Sequence, residues 1–167
     1  MRLVLYQPDI PQNTGTLMRL AACWGVRLEI VGPCGFVWDD RKLRRAGMDY
    51  GERATVSRFD SWAAYQASAP VGRLIAVETS GAVSYAAFAF YPDDRLLLGS
   101  ESAGLPDSVL AGASACVRIP MQPGMRSLNV ALAGAVVLGE ALRQTRPEWL
   151  DVYQGEGSAA PSYLPHT

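Results

Sequence analysis

Histidine and cysteine are scarce in this sequence of 167 residues, and their scarcity argues against several kinds of catalytic site. The single histidine, His166, lies beside the C-terminus in a segment rich in Gly, Ser, Ala and Pro, where chain ends are usually loose. We therefore expect no imidazole general base, no Ser-His-Asp triad and no paired histidine ligands. Cys23, Cys34 and Cys116 are widely spaced and form no Cys-x-x-Cys pair, so we expect reduced core residues rather than disulfides or a zinc site.

Long apolar runs are also lacking. No stretch approaches the roughly 20 apolar residues that span a bilayer, and the first residues turn polar too soon for a signal peptide. We therefore expect a cytoplasmic protein without membrane contact. A hydrophobic content of 49% suits one compact domain, which we assign to residues 1–150, followed by a tail at 151–167 that shows no periodicity.

Excess charge of either sign is absent, since the formal net charge is -1. Whole-chain basicity, the usual electrostatic footprint of nucleic-acid binding, is therefore missing. The distribution is uneven, however, because four of the fifteen basic residues are concentrated at Arg41, Lys42, Arg44 and Arg45. A local patch for phosphate groups can exist on a protein that is neutral as a whole.

Short apolar runs alternate with helical patterns, and this alternation predicts an α/β fold with a mostly parallel sheet flanked by helices. The predicted strands are 2–6, 27–31, 54–59, 74–77, 96–98 and 116–119. The predicted helices are one that ends at Gly25, three short ones at 40–45, 61–67 and 106–111, and a long one from 127 to about 144. The apolar stripe of the long helix is predicted to contain Leu128, Leu132, Ala135, Val136, Gly139 and Leu142.

Three strand-loop-helix transitions stand out by their polar or glycine-rich loops. The first is 11–15, in which Asn13 could cap the helix. Arg19 follows one turn into that helix, where the helix dipole does not stabilise a cation. Contact with an anion or with RNA is therefore a further explanation for an arginine at this position. The second is 96–106, a glycine-bounded loop that matches neither a P-loop nor a dinucleotide fingerprint, and that could be a tight turn or a place of close ligand approach. The third is 118–131, with Ser127 as the candidate N-cap.

All three loops are expected at the carboxyl edge of a parallel sheet, which makes a ligand cleft more plausible than three unrelated turns. In this order the three segments resemble the motifs of the SPOUT class of RNA methyltransferases, and best its branch that methylates the ribose at the tRNA wobble position. The resemblance extends from Met1 to about Gln144 and includes residues 5–11, 13–15, 35–40 and 43–50.

The resemblance implies a C-terminal deep trefoil knot, a homodimer with the active site built across its interface, and S-adenosylmethionine held in the knot without any metal. The matching positions imply these cofactor contacts: Val77, Gly99, Ile119, Met121, Ser127 and Leu128. Arg19 matches the catalytic arginine of the class. Because a guanidinium stays protonated, we interpret its role as orienting and electrostatic rather than basic.

For the tRNA substrate, the candidate binding residues are Asn13, Arg41, Lys42, Arg44, Arg45, Glu101 and Asn129. The basic run is either a solvated helix face or a phosphate site, and the flanking Trp38 and Tyr50 favour recognition of a single-stranded loop. Ala103, Ala131 and Gly139 depart from residues that are frequent in the class.

Two alternatives stay open. One is a ribose methyltransferase that acts on ribosomal RNA, although larger enzymes of that kind commonly carry an additional N-terminal domain, whereas this sequence starts directly in a strand. The other is a knotted RNA-binding protein without catalysis, against which Arg19 and the complete third motif weigh.

Overall fold

The computed structural model describes residues 1–39, 55–68 and 71–146, and these form seven strands and four α-helices. The strands are β1 (Arg2–Tyr6), β2 (Arg27–Val31), β3 (Val56–Phe59), β4 (Leu74–Val77), β5 (Val83–Ser84), β6 (Arg95–Leu98) and β7 (Ala115–Arg118). The helices are α1 (Pro11–Trp24), α2 (Trp62–Ala67), α3 (Asp107–Leu110) and α4 (Val130–Thr145), with a 3-10 turn at Tyr85–Ala87. The predicted helix at 40–45 and the predicted tail lie outside the described residues.

All strand pairs in the sheet are parallel, and the strand order is β3-β2-β1-β6-β4-β7-β5. This confirms the predicted α/β fold with a parallel sheet flanked by helices. From β1 the chain continues to β2 and β3 on one side, whereas β6 lies on the other, so the strand order reverses between β1 and β6. Leu98 is in register with both Leu5 of β1 and Val77 of β4, which aligns the carboxyl ends of these strands. Such a reversal opens a crevice for ligands in open parallel sheets.

Helices cover both faces of the sheet, and the side chains of each strand alternate between these two faces. Leu3 and Leu5 belong to the larger apolar cluster with α1 and α4, whereas Val4 belongs to the smaller one with α2 and α3. Gly134 permits the close approach of α4, since a Cβ at this position would lie 2.8 Å from Leu98 Cδ1. Within the described ranges, no helix is long and apolar enough to cross a membrane.

Both predicted helix caps are wrong. The N-cap of α1 is Ile10, because Pro11, with its preset φ, occupies the first helical position, and Asn13 is a buried residue of the first turn. The N-cap of α4 is Asn129 rather than Ser127, since Asn129 Oδ1 accepts hydrogen bonds from two N–H groups of the first turn. The predicted end of α1 is confirmed: Gly25 adopts the left-handed conformation with φ 59°.

The predicted stripe of α4 is largely the wrong face. The buried residues of the helix are Ala131, Gly134, Val137, Leu138, Ala141 and Leu142. By contrast, Leu132 is 60% and Val136 39% exposed. The helix is apolar around most of its circumference, so periodicity alone did not distinguish the two faces. The cysteine prediction is partly wrong as well: all three are free, but Cys23 is exposed, and the other two are half-buried.

Candidate active site

A cavity of about 500 Å³ opens at the carboxyl ends of β4, β6 and β7, beside the N-terminal ends of α1 and α4. This volume suits a small organic cofactor. The structure brings together all the positions predicted to contact a cofactor, because the cavity lining includes Val77, Gly99, Ile119, Met121, Ser127 and Leu128. Three of the predicted substrate-binding residues, Asn13, Glu101 and Asn129, line the same cavity.

These three polar residues form one hydrogen-bonded chain. Asn13 Nδ2 donates to Glu101 Oε1 at 2.8 Å, and Asn129 Nδ2 donates to Asn13 Oδ1 at 2.9 Å. Asn129 Oδ1 is already engaged as the cap of α4. These hydrogen bonds therefore connect the first turn of α1 to the loop after β6 and to the start of α4, and they satisfy the polar side chain of the buried Asn13.

Asp9 holds the loop after β6 through a reciprocal set of hydrogen bonds. Its carboxylate accepts the N–H groups of Glu101 and Ser102, each at 3.2 Å, and the Ser102 hydroxyl. In return, the N–H of Asp9 donates to Glu101 Oε2 at 3.0 Å. The hydrogen-bonded contact with Glu101, followed by those from Ser102, lowers the pKa of Asp9 to about 2. The ionised carboxylate thus anchors Glu101 at the cavity wall.

The glycine-bounded loop after β6 closes on itself. Ser100 and Gly104 exchange backbone hydrogen bonds at 3.2 and 2.9 Å, and Gly104 has φ 68°. A Cβ on Gly99 would lie only 2.4 Å from the carbonyl carbon of Gly104, so the turn requires glycine there. Glu78 secures the end of this turn, because its Oε1 accepts the N–H of Leu105 at 2.8 Å.

Sequence reasoning missed Asp9, Glu78 and Thr79 as parts of this site. Glu78 and Thr79 line the cavity directly after β4, next to the predicted Val77. The available signal was their place at the carboxyl end of a buried strand, which is where parallel sheets bind ligands. Asp9 had the same signal, since it lies in the loop that follows β1.

Arg19 is not among the residues that line the cavity. Because α1 begins at Pro11, Arg19 lies in the third turn rather than one turn into the helix, which corrects the expected position; the residue is exposed. It lies six residues beyond Asn13, which corresponds to roughly 9 Å along the helix axis. The candidate substrate residues Arg41, Lys42, Arg44 and Arg45 lie outside the described part of the chain.

The cavity combines apolar walls with backbone edges and two carboxylates, those of Glu78 and Glu101. Such a lining can bind an elongated, mostly apolar molecule through main-chain hydrogen bonds, and it favours a ligand that carries positive charge. Within residues 1–39, 55–68 and 71–146, no group of three or more His, Cys, Asp or Glu residues could hold a metal ion.

Known proteins have a similar sequence and architecture. The model of the SpoU rRNA methylase family matches residues 1–139. A tRNA (cytidine(34)-2'-O)-methyltransferase of Beijerinckia indica is 55% identical over 144 residues, which are 85% of this chain and 90% of the relative. The protein of the same name from Escherichia coli K12 is 44% identical, over 86% of this chain and 93% of the relative.

Two solved structures are similar as well. One, from work on the 2-OH methylation of C/U34 on tRNA, has a TM-score of 0.81 and 44% identity, over 86% of this chain and 94% of that chain. The other is the SpoU methyltransferase AviRb from Streptomyces viridochromogenes in complex with the cofactor AdoMet. It has a TM-score of 0.76 and 28% identity, over 86% of this chain and 60% of that chain. With its three loops gathered at one sheet edge and a matching family model over most of its length, the chain belongs to the SpoU rRNA methylase family.

Proposed function

We propose that this chain transfers a methyl group from S-adenosylmethionine to the ribose 2′-hydroxyl of a cytidine or uridine at wobble position 34 of tRNA. The observation that carries the proposal is the single cavity that unites every predicted cofactor position with Asn13, Glu101 and Asn129. The curated relatives support the choice of substrate, since they are tRNA (cytidine(34)-2'-O)-methyltransferases at 55% and 44% identity.

The cofactor fits the residues present. Its net positive charge matches a lining with two carboxylates, and the closely packed turn at Gly99 and Gly104 presents backbone rather than side chains. When bound, S-adenosylmethionine supplies an electrophilic methyl: the S–C bond breaks to leave a neutral thioether, the 2′-oxygen forms the new C–O bond, and the hydroxyl proton passes to solvent. The protein's task is therefore alignment of the hydroxyl.

We assign the orientation of the ribose or its neighbouring phosphate to Arg19. This side chain is exposed on α1 and does not line the cavity of its own chain. The assignment therefore requires a second copy of the chain, whose cavity the guanidinium would approach. Leu128, Leu132 and Val136 form an exposed apolar row on and before α4, next to the cavity, and this row supports a homodimer.

The chain topology, the domain organisation, the location in the cell and the RNA contacts complete the proposal. We propose that the C-terminal part of the chain passes through a loop to form a deep trefoil knot, that residues 1–150 are one methyltransferase domain followed by a tail, and that the protein acts in the cytoplasm. Arg41, Lys42, Arg44 and Arg45 are proposed to contact the RNA phosphates.

Transfer of a radiolabelled methyl group to bulk tRNA and to ribosomal RNA tests the proposal. We expect label in tRNA, located by nuclease digestion and mass spectrometry on the ribose of nucleotide 34. Label confined to ribosomal RNA would favour the alternative enzyme, and cofactor binding without transfer to either RNA would favour a non-catalytic RNA-binding protein.

The Arg19→Ala variant tests the catalytic assignment. Removing a contact made in the transition state is expected to lower the rate about a hundredfold, or about 3 kcal/mol, with cofactor affinity nearly unchanged. Arg27→Ala is the matched control, since Arg27 is an exposed arginine at the opposite, amino-terminal end of β2. An Arg19→Ala enzyme with a normal rate would overturn the assignment.

A further inference from the structure

Glu78, the residue that directly follows β4, is held firmly at the cavity wall. Its N–H donates to the carbonyl of Val117 at 3.0 Å, and its own carbonyl accepts the N–H of Gly81 at 3.1 Å. Its carboxylate accepts the N–H of Leu105 through Oε1. Backbone and side chain are thus fixed: the carboxylate contacts the loop after β6, and the residue lines the cavity.

Within residues 1–39, 55–68 and 71–146, Glu78 forms no ion pair. The ion pairs found within the described ranges involve other acids. Arg118, at the end of the adjacent strand β7, donates instead to the carbonyl oxygens of Gly81 and Ala82. Among the described residues that line the cavity there are two glutamates, Glu78 and Glu101, and no Arg, Lys or His.

We propose that Glu78 makes the cavity select the cationic methyl donor over its own demethylated product. The inference rests on the proposed function. S-adenosylmethionine carries a sulfonium, an ammonium and a carboxylate, and therefore one net positive charge. S-adenosylhomocysteine has a neutral thioether in place of the sulfonium and no net charge. The two molecules are otherwise alike, so a fixed carboxylate that forms no ion pair within the described residues discriminates between them by charge.

The size of the cavity limits how far the sulfonium can lie from this carboxylate. A cavity of about 500 Å³ has the volume of a cube with edges of about 8 Å, so a sulfonium bound near its middle would lie within about 10 Å of a carboxylate at the wall. With the effective dielectric near a protein surface and screening by salt, the attraction between unit charges at such distances corresponds to roughly three- to tenfold in affinity. Spent cofactor would leave more readily, which favours turnover.

Calorimetric titration of the Glu78→Gln protein with both molecules tests the inference. Glutamine keeps the volume and the oxygen that accepts the Leu105 N–H, but it removes the charge. Affinity for S-adenosylmethionine is expected to fall roughly three- to tenfold, whereas affinity for S-adenosylhomocysteine changes by less than about twofold. Asp93→Asn is the matched control: it removes the same charge from an exposed aspartate at the opposite end of β6, and it should leave both affinities unchanged.

A second measurement uses the unmodified protein, so that the test does not depend on the folding of a variant. Raising the ionic strength is expected to reduce the preference for S-adenosylmethionine over S-adenosylhomocysteine. The inference would be overturned if Glu78→Gln lowered the affinity for both molecules equally or for neither. It would also be overturned if salt left the preference for S-adenosylmethionine unchanged. In each case the proposed function would stand. If the unmodified protein bound neither molecule, the proposed function would fall as well.

Discussion

Replacement of Gly99 by alanine tests whether the closed turn after β6 shapes the cavity. The added Cβ would lie 2.4 Å from the carbonyl carbon and 2.7 Å from the carbonyl oxygen of Gly104, and 2.7 Å from the N atom of Leu105. These atoms are backbone and not the mobile end of a side chain, so the turn must move. Movement would break the two hydrogen bonds between Ser100 and Gly104 and the bond from Leu105 to Glu78.

Three hydrogen bonds at about 1 kcal/mol each stabilise the present turn by about 3 kcal/mol, and the overlap of the added Cβ with backbone atoms at 2.4 Å must exceed this stabilisation for the turn to move. If the variant reaches that form in only about 1% of molecules, its apparent affinity for S-adenosylmethionine falls about a hundredfold. Calorimetry measures this loss, and thermal unfolding reports any global destabilisation. Gly112→Ala is the control, because its Cβ would make only ordinary contact, 3.5 Å from the carbonyl oxygen of Val109. Cofactor affinity and melting temperature equal to those of the unmodified protein would refute the reasoning.

Three further changes probe other parts of the proposal. Neutralising Arg41, Arg44 and Arg45 together should weaken tRNA binding and reduce its salt dependence, since fewer counterions are released on binding. If filter binding gave an unchanged slope of log affinity against log salt concentration, these residues would not contact the RNA phosphates. Because the pKa of Asp9 is lowered from 3.8 to about 2, its ionised form stabilises the fold fully above about pH 5, and this effect is lost as the pH falls through 2. Solvent screening at this partly exposed site keeps the effect at about 1 kcal/mol at pH 6, so the difference in unfolding free energy between the unmodified protein and Asp9→Asn should shrink from about pH 5 down to about pH 1; a constant difference in denaturant titrations would contradict this. Leu132→Glu should convert a dimer into a monomer in sedimentation experiments, and a monomeric unmodified protein at micromolar concentration would count against the homodimer.

Most strands of the sheet were predictable because they are short and rich in apolar residues, and β1, β2, β4 and β6 are also largely buried. The predicted segments 2–6, 27–31 and 74–77 match β1, β2 and β4, and the remaining predicted strands differ by one or two residues at their ends. The two-residue strand β5 was not predicted, since Val83 and Ser84 carry no alternation to detect. Its pairing with β7 depends on a neighbour that is distant in sequence.

The predicted helix caps were wrong because propensity describes only the local sequence. Asn13 and Ser127 are favoured cap residues, but propensity cannot indicate that the Asn13 side chain is engaged elsewhere or that α4 begins only at Val130. In the structure Asn13 bonds to Glu101, 88 residues away, and to Asn129, 116 residues away. Side chains at a functional site are placed by contacts with distant segments rather than by local propensity. A residue whose structural role differs from its local propensity is therefore itself an indication of the site.

The cavity positions could be predicted from the resemblance, whereas the carboxylates that support the loop could not. Val77 and Gly99 lie at positions where the motif and the sheet edge coincide. Glu78 and Asp9 contribute through hydrogen bonds to backbone N–H groups on other loops, and no spacing in the sequence encodes such contacts. Both acids act on the same segment, Asp9 at the N–H groups of Glu101 and Ser102, and Glu78 at the N–H that closes the turn. The order of this loop therefore depends on the acceptor oxygens of both side chains, and of the two residues only Glu78 also lines the cavity. A change at Asp9 is thus expected to alter the shape of the loop, whereas Glu78→Gln retains the oxygen that accepts the Leu105 N–H and removes only the charge, which is why the substitution at Glu78 is the more discriminating experiment.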